Sequence, residues 1–274
     1  MFSFNQLTKK NNILHNIIFI IMLSISLSVT GYSAYNLFKL WYNQKYAAVV
    51  YDDITEQIYN TDVKDIVDRS YIPQASEELS EETTINATEK DEINWQTLTD
   101  INIDSIGILY IPQLGINLPV VQGTDNQHYL HYSIDGSYSS CGTLFEDCRI
   151  SSGADGKNII IYGHNMHNGS MFGKLAKYLD ESFFYKYDTL YFLCGNDVRA
   201  YKVFSVYTTE NGSDTYTCKF SNDLNFINYK ENIKKLSKFD SDVDVNNTAQ
   251  VITLSTCYSS GSTTRTIVHA QRIN

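Results

Sequence analysis

The chain has 274 residues, 43% of them hydrophobic, with 21 basic against 31 acidic side chains and a formal net charge of −10. A phosphate-binding face needs a basic excess that is missing here, so nucleic acid is excluded as a main partner. The length suits one domain of ordinary size with appendages, and the hydrophobic share is ample for its core.

Residues 13–38, ILHNIIFIIMLSISLSVTGYSAYNLF, are the first organised feature. No Asp, Glu, Lys or Arg interrupts them, and Ser24, Ser26 and Ser28 can bond back to helix carbonyls. The segment is expected to span a membrane as a helix. Lys9, Lys10 and the amino terminus precede it, and Lys39 and Lys45 follow. That balance places residues 1–12 in the cytoplasm and the rest of the chain outside. A signal peptide cleaved near VTG or GYS is the alternative, and it puts the same remainder outside. Residues 39–70 read as an amphipathic helical extension, with Leu40, Tyr42, Val49, Val50, Ile54, Ile58, Val63, Ile66 and Val67 apolar among charges. The acidic stretch PQASEELSEETTINATEKDE, 73–92, has no apolar period and reads as a solvated linker or a loop between helices.

From 93 onward the pattern changes. A short helical piece, INWQTLTDIN, leads into eight short runs: IGILYIP, INLPVVQ, GTLFED, NIIIYGH, TLYFLC, RAYKVFSVYT, AQVITLSTC and TRTIVHAQRI. Bounded by Gly, Asn, Asp and Pro, they predict a mainly β domain over 93–274, a closed or nearly closed barrel. Two helices are expected within it, SMFGKLAKYLD near 170–180 and LNFINYKENIKKLSKF at 224–239. There is no internal repeat.

Five cysteines (141, 148, 194, 218, 257) are an odd number for an exported chain, so at least one is free or pairs between chains. Cys141 and Cys148 flank one strand, too far apart for a bridge, whereas Cys194 and Cys218 could pair if their strands are neighbours. Cys257 differs from the other four, which read as small buried hydrophobes. It ends a β-branched run, and Arg265 opens the next run eight residues later. Only about 3% of an ordinary thiol is thiolate at pH 7, and a neighbouring cation raises that fraction. An arginine keeps its charge, and its fork of N–H donors suits an oxyanion. Six histidines could supply proton transfer. His15 lies in the apolar segment, His128 and His131 sit among aromatics, His167 is in a loop, and His269 shares the face of Arg265. His164 is the strongest candidate because it follows NIIIYG at a strand end, where substrate can reach it. Cys257, His164 and Arg265 together describe acyl transfer through a thioester. Zinc is disfavoured because no CxxC occurs.

TLSTC at a strand end, the Arg eight residues on, and YGHN resemble the sortases, cysteine transpeptidases of Gram-positive surfaces. INLPVVQGTDNQHYLH, GTLFED, IIIYGHNMHNGSMFGKL and RTIVHAQRI look like class B segments in order. The resemblance implies an eight-stranded sortase barrel with N-terminal helices and a helix in the insertion between strands six and seven. It implies cleavage of a C-terminal sorting motif, of NPxTx or xPxTG type, after its Thr. Surface proteins bearing such signals and a peptidoglycan-precursor amine would be the partners, with no cofactor and no metal. His164, Cys257 and Arg265 match the family's catalytic positions. Ser255, Thr256, Tyr258 and Leu130 match substrate-contacting ones, with the loop from Tyr258 through Ser262 at the groove's edge. Many class B members carry an acidic residue in that loop, but YSSGSTT has none. A pilin polymerase using a Lys side chain as acceptor, or a non-catalytic wall-binding module, are the alternatives.

Overall fold

The structure, a computed structural model, describes residues 4–70, 93–210, 212–257 and 263–274. The linker 73–92 and the loop containing Tyr258 lie outside the described residues. The chain divides into two compact units, 1–46 and 47–274. The first is the N-terminal part of helix α1 (Phe4–Ile58). Within it, His15–Lys39 has mean hydropathy 2.0 and is long and apolar enough to cross a membrane. Ser24 and Ser28 do bond back, each donating its hydroxyl at 2.8 Å to the carbonyls of Ile21 and Ser24.

The second unit is a closed barrel of eight strands: β1 (Ser105–Ile111), β2 (Ile116–Val121), β3 (Leu144–Glu146), β4 (Asn158–Tyr162), β5 (Thr189–Cys194), β6 (Asp197–Glu210), β7 (Val251–Cys257) and β8 (Thr264–Arg272). Around the barrel the order is β1-β2-β3-β4-β7-β8-β6-β5. The β2–β3 and β4–β7 pairs are parallel and the others antiparallel. Each expected apolar run marks a strand, although β1 starts one residue earlier and β6 extends two residues beyond RAYKVFSVYT at both ends. Closure removes the sheet edges that a row of short strands would otherwise leave open.

The compact unit starts well ahead of the expected boundary at 93. Tyr51, Ile54 and Ile58 from the end of α1, and Ile66 and Val67 from α2 (Val63–Ser70), are buried in the same core as the barrel interior. Tyr51 donates its hydroxyl to the Gly142 carbonyl at 3.0 Å, and the backbone N–H of Asn94 donates to Ile58 at 2.7 Å. Helix α3 (Trp95–Ile101) follows, with Asn94 accepting from the Thr97 N–H as its N-cap.

The helix expected at 170–180 takes a different form. Met171 has φ 49°, and a Cβ on Gly173 would lie 2.1 Å from the Met166 carbonyl oxygen, so the segment is a tight turn there. A 3-10 turn covers Leu175–Leu179, and Asp180 then caps α4 (Glu181–Lys186). The second expected helix is α5 (Asp223–Lys235), inside the β6–β7 insertion. Phe226, Tyr229 and Ile233 on α5 close a separate core on the outer barrel face with Phe204, Val243, Val245 and Val251. Each such fully buried side chain contributes about 1.5–3 kcal/mol.

Candidate active site

Period-two alternation sorts the residues of β4, β7 and β8 between two faces. Ile159, Ile161, Ile252, Leu254, Val268 and Ala270 fill the interior. The outer face carries Ile160, Thr253 and His269 in one row, then Tyr162, Ser255 and Ile267 in the next. The β6–β7 insertion covers these rows. One row further on, the last backbone pair of the β7–β8 hairpin is Cys257 with Arg265. Arg265 is half-buried.

His164 arrives at the same end from the neighbouring parallel strand. Tyr162 pairs with Ser255, and two residues onward from each lie His164 and Cys257. The Gly163 N–H extends the pairing by donating to the Ser255 carbonyl at 3.2 Å. Only glycine fits at 163, since a Cβ would meet Leu144 at 2.5 Å and Phe172 at 2.7 Å. His164 is half-buried, its carbonyl accepts from the Phe172 N–H, and its Nε2 lies 2.8 Å from the Leu130 carbonyl oxygen. A carbonyl only accepts, so Nε2 carries the hydrogen and Nδ1 is the nitrogen left to gain or lose a proton.

The candidate substrate-contacting residues fare differently. Ser255 is on the outer face but buried, its Oγ 3.0 Å from the hydroxyl of Tyr216. Thr256 lies on the interior face, opposite Thr266, so a peptide on the Ser255 side would meet its backbone rather than its side chain. Leu130 is half-buried and serves His164 through its carbonyl. Tyr258 lies outside the described residues. Among the other histidines, His128 stacks on Tyr132 at 4.5 Å, His167 is exposed, and His269 is buried on the face it shares with Arg265. Cys141, Cys148, Cys194 and Cys218 are all free, so Cys194 and Cys218 are not bridged.

Sequence reasoning missed Tyr216, because a lone tyrosine in an insertion carries no spacing signal. It stacks on Tyr162 with ring centroids 6.0 Å apart. A cleft of 520 Å³ opens beside this pair, lined also by Asp147, Arg149, Asp214 and Lys219. Burial works to raise the Asp147 carboxyl, but bonds from Arg149 (2.7 Å) and Tyr162 (2.8 Å) overcome it and hold it at about 2. Its neighbour Glu146 is also buried, and neither carboxyl oxygen has a hydrogen-bond partner. Burial and then the charge of Asp147 push it up to about 8. Among the described residues no group of His, Cys, Asp and Glu could hold a metal ion.

The family model for the sortase domain matches residues 109–273. Sortase B of Listeria monocytogenes is 35% identical over 175 residues, 64% of this chain and 70% of that protein. The crystal structure of Bacillus anthracis sortase B in complex with AAEK1 superposes with TM-score 0.61 at 34% identity, covering 66% of this chain and 84% of that one. The Staphylococcus aureus sortase B–substrate complex gives TM-score 0.61 at 31% identity, covering 65% and 84%. With the family domain matched from within β1 through β8, and sortase B proteins similar in both sequence and fold, the chain belongs to the sortase family of cysteine transpeptidases, in class B.

Proposed function

We propose that this protein is a membrane-anchored sortase that cleaves a C-terminal sorting motif, of NPxTx or xPxTG type, after its Thr and joins the new end to a peptidoglycan-precursor amine. The Cys257 thiolate attacks the Thr carbonyl carbon, and the resulting oxyanion is held by the guanidinium of Arg265. Collapse breaks the peptide bond, His164 gives a proton to the departing amine, and a thioester remains on Cys257. The incoming amine then attacks the thioester, loses its proton to His164 and releases Cys257. Ser255 and the backbone of Thr256 line the peptide's path.

The observation that carries this reading is the backbone pairing of Cys257 with Arg265, with His164 two residues past the Tyr162–Ser255 pair on the adjacent strand. The N-terminal organisation is part of the proposal. Residues 1–12 form a cytoplasmic tail, 13–38 the anchor, 39–92 a helical extension with its acidic linker, and 93–274 the extracellular catalytic part. The Staphylococcus aureus relative has been solved with its substrate, which supports a peptide-binding groove in this fold.

The test mixes the protein, and its Cys257→Ala variant, with peptides of both motif types and records intact protein mass. The expected result is an adduct equal to the peptide's N-terminal fragment on the wild type and none on the variant. Undiminished cleavage by Cys257→Ala would sink the reading.

A further inference from the structure

Beneath the Tyr216–Ser255 contact lies a closed ring of buried hydrogen bonds that the chemistry above does not use. His269 on β8 is wholly buried, with Nδ1 2.8 Å from Thr253 Oγ1 and Nε2 3.0 Å from the Tyr207 hydroxyl. Thr253 Oγ1 also lies 2.7 Å from Asn158 Oδ1, and the Tyr207 hydroxyl lies 2.8 Å from Thr215 Oγ1. Asn158 Nδ2 donates to the Tyr229 hydroxyl and to the Thr217 carbonyl, both at 2.9 Å. Tyr229 closes the ring by donating to the Thr215 carbonyl at 2.7 Å.

Proton counting together with burial gives every bond a direction. The Thr217 carbonyl only accepts, so Nδ2 of Asn158 faces it and Oδ1 faces Thr253. Thr253 therefore spends its single hydrogen on Asn158, and His269 must donate to Thr253 from Nδ1. A doubly protonated ring could also close the chain, with Nε2 donating to Tyr207 and Tyr207 to Thr215, but burial excludes that charge and holds the imidazole at about 3. In the neutral ring Nε2 accepts from Tyr207, and Thr215 donates to Tyr207. Tyr207 and Tyr229 are the titratable rings packed on it, with centroids at 5.5 and 6.5 Å.

Two of these bonds end on Thr215 and one on Thr217, the residues on either side of Tyr216. The 3-10 turn Asp214–Tyr216 is too short to be stable by itself, and beside the ring it is tied down by Arg149, which donates to the Tyr216 carbonyl at 3.1 Å, and by the Tyr216 side chain buried with Ile160 and Ile267. We propose that His269, through Tyr207 and Thr215, is a positioning residue for the sorting peptide: it fixes the turn that sets Tyr216 on Ser255, two residues from Cys257. This rests on the reading of Ser255 as part of the peptide's path. His269 touches no substrate. Losing the ring removes two of the ties on Thr215, loosening the turn and the groove wall while Cys257, His164 and Arg265 keep their strand register.

The experiment compares wild type with His269→Phe and Tyr207→Phe, using a quenched-fluorescent NPxTx-type peptide. Nitrogen NMR of the histidine side chains is recorded alongside. The wild-type His269 signal should stay neutral and Nδ1-protonated from about pH 5 to 8, whereas an unperturbed imidazole titrates within that range. Either variant should raise KM about tenfold with kcat within about twofold, the signature of lost binding rather than lost chemistry. The double variant should be no worse than the singles, because both cut one chain of bonds. Tyr207→Phe keeps its ring packing, so it decides the matter if His269→Phe folds poorly. A titrating His269, an unchanged KM in a folded variant, or a fall in kcat with KM intact would each overturn the proposal. A wild type that cleaves neither NPxTx nor xPxTG peptides would overturn the proposed function first, and this proposal with it.

Discussion

Glu146 and Arg265 show how differently a charged residue can be used in one barrel. Glu146 pairs with Ile161 on β4, a position facing the apolar interior, and has no hydrogen-bond partner there. Its folded pKa of about 8 lies above the ordinary 4.5, so the folded state holds the proton more tightly than the unfolded one. Its stabilising protonation is fully present below about 4.5 and is lost as pH rises through about 8. Glu146→Met should therefore raise stability by roughly 2 kcal/mol at pH 8 and by much less at pH 4.5. Thermal melts at the two pH values check this, and an equal gain at both would remove ionisation as the cause. In the proposed mechanism Arg265 works through its fork of donors rather than its charge alone. Arg265→Lys keeps the charge and loses the fork, so kcat/KM on a cleaved peptide should fall about 100-fold. An undiminished rate would take the oxyanion role away from this residue.

Between elements, the amphipathic extension contributes more than its sequence suggested. Tyr51, Ile54, Ile58, Ile66 and Val67 share the barrel's core, whereas Tyr42 and Val49, apolar at the same helical spacing, are exposed. At about 1.5–3 kcal/mol for each buried side chain, removing this segment costs an amount comparable with the whole stability of a typical domain. A protein starting at residue 71 should melt more than 10 °C below one starting at 47, or fail to fold, by roughly the usual relation of stability to Tm. Equal melting temperatures would mean that α1 and α2 only rest on the barrel. The insertion helix shows the complementary case. Lys230 on α5 is wholly buried, and its amine donates to Asn247 at 2.7 Å and Gln271 at 3.0 Å. Lys230→Met should lower stability by about 1–3 kcal/mol, because it strands the buried Gln271 acceptor and breaks the bond to half-buried Asn247. Chemical denaturation measures that directly.

For the molecule as a whole, the apolar stretch His15–Lys39 is the only candidate membrane span among the described residues. The full chain should stay with the membrane pellet after an alkaline carbonate wash, and a form lacking residues 1–46 should move to the soluble fraction. Release of the full chain by carbonate would argue against an integral anchor.

Much of this protein was legible in its sequence because the relevant physics is local. Runs such as NIIIY and VITLSTC are β-branched and apolar, so they mark β4 and β7 without reference to partners, and a strand-end Cys, His and Arg stood out against them. The helix expected at 170–180 failed for a local reason that spacing cannot show, a left-handed Met171 beside a Gly173 pressed on Met166. The resemblance put Thr256 with the substrate-contacting residues, but which face a strand residue takes depends on what packs beneath it, and Thr256 turns to the interior. Strand positions, the helical character of the N-terminal segments and the chemistry available to Cys257, His164 and Arg265 were determined by the sequence alone. Only the tertiary structure decided that β4 and β7 run parallel, that α1 and α2 complete the core, and that Tyr216, Leu130 and His269 gather around the site. Those residues lie 16 to 93 positions from the side chains or strand partners they meet, so no periodicity links them and only barrel closure brings them together.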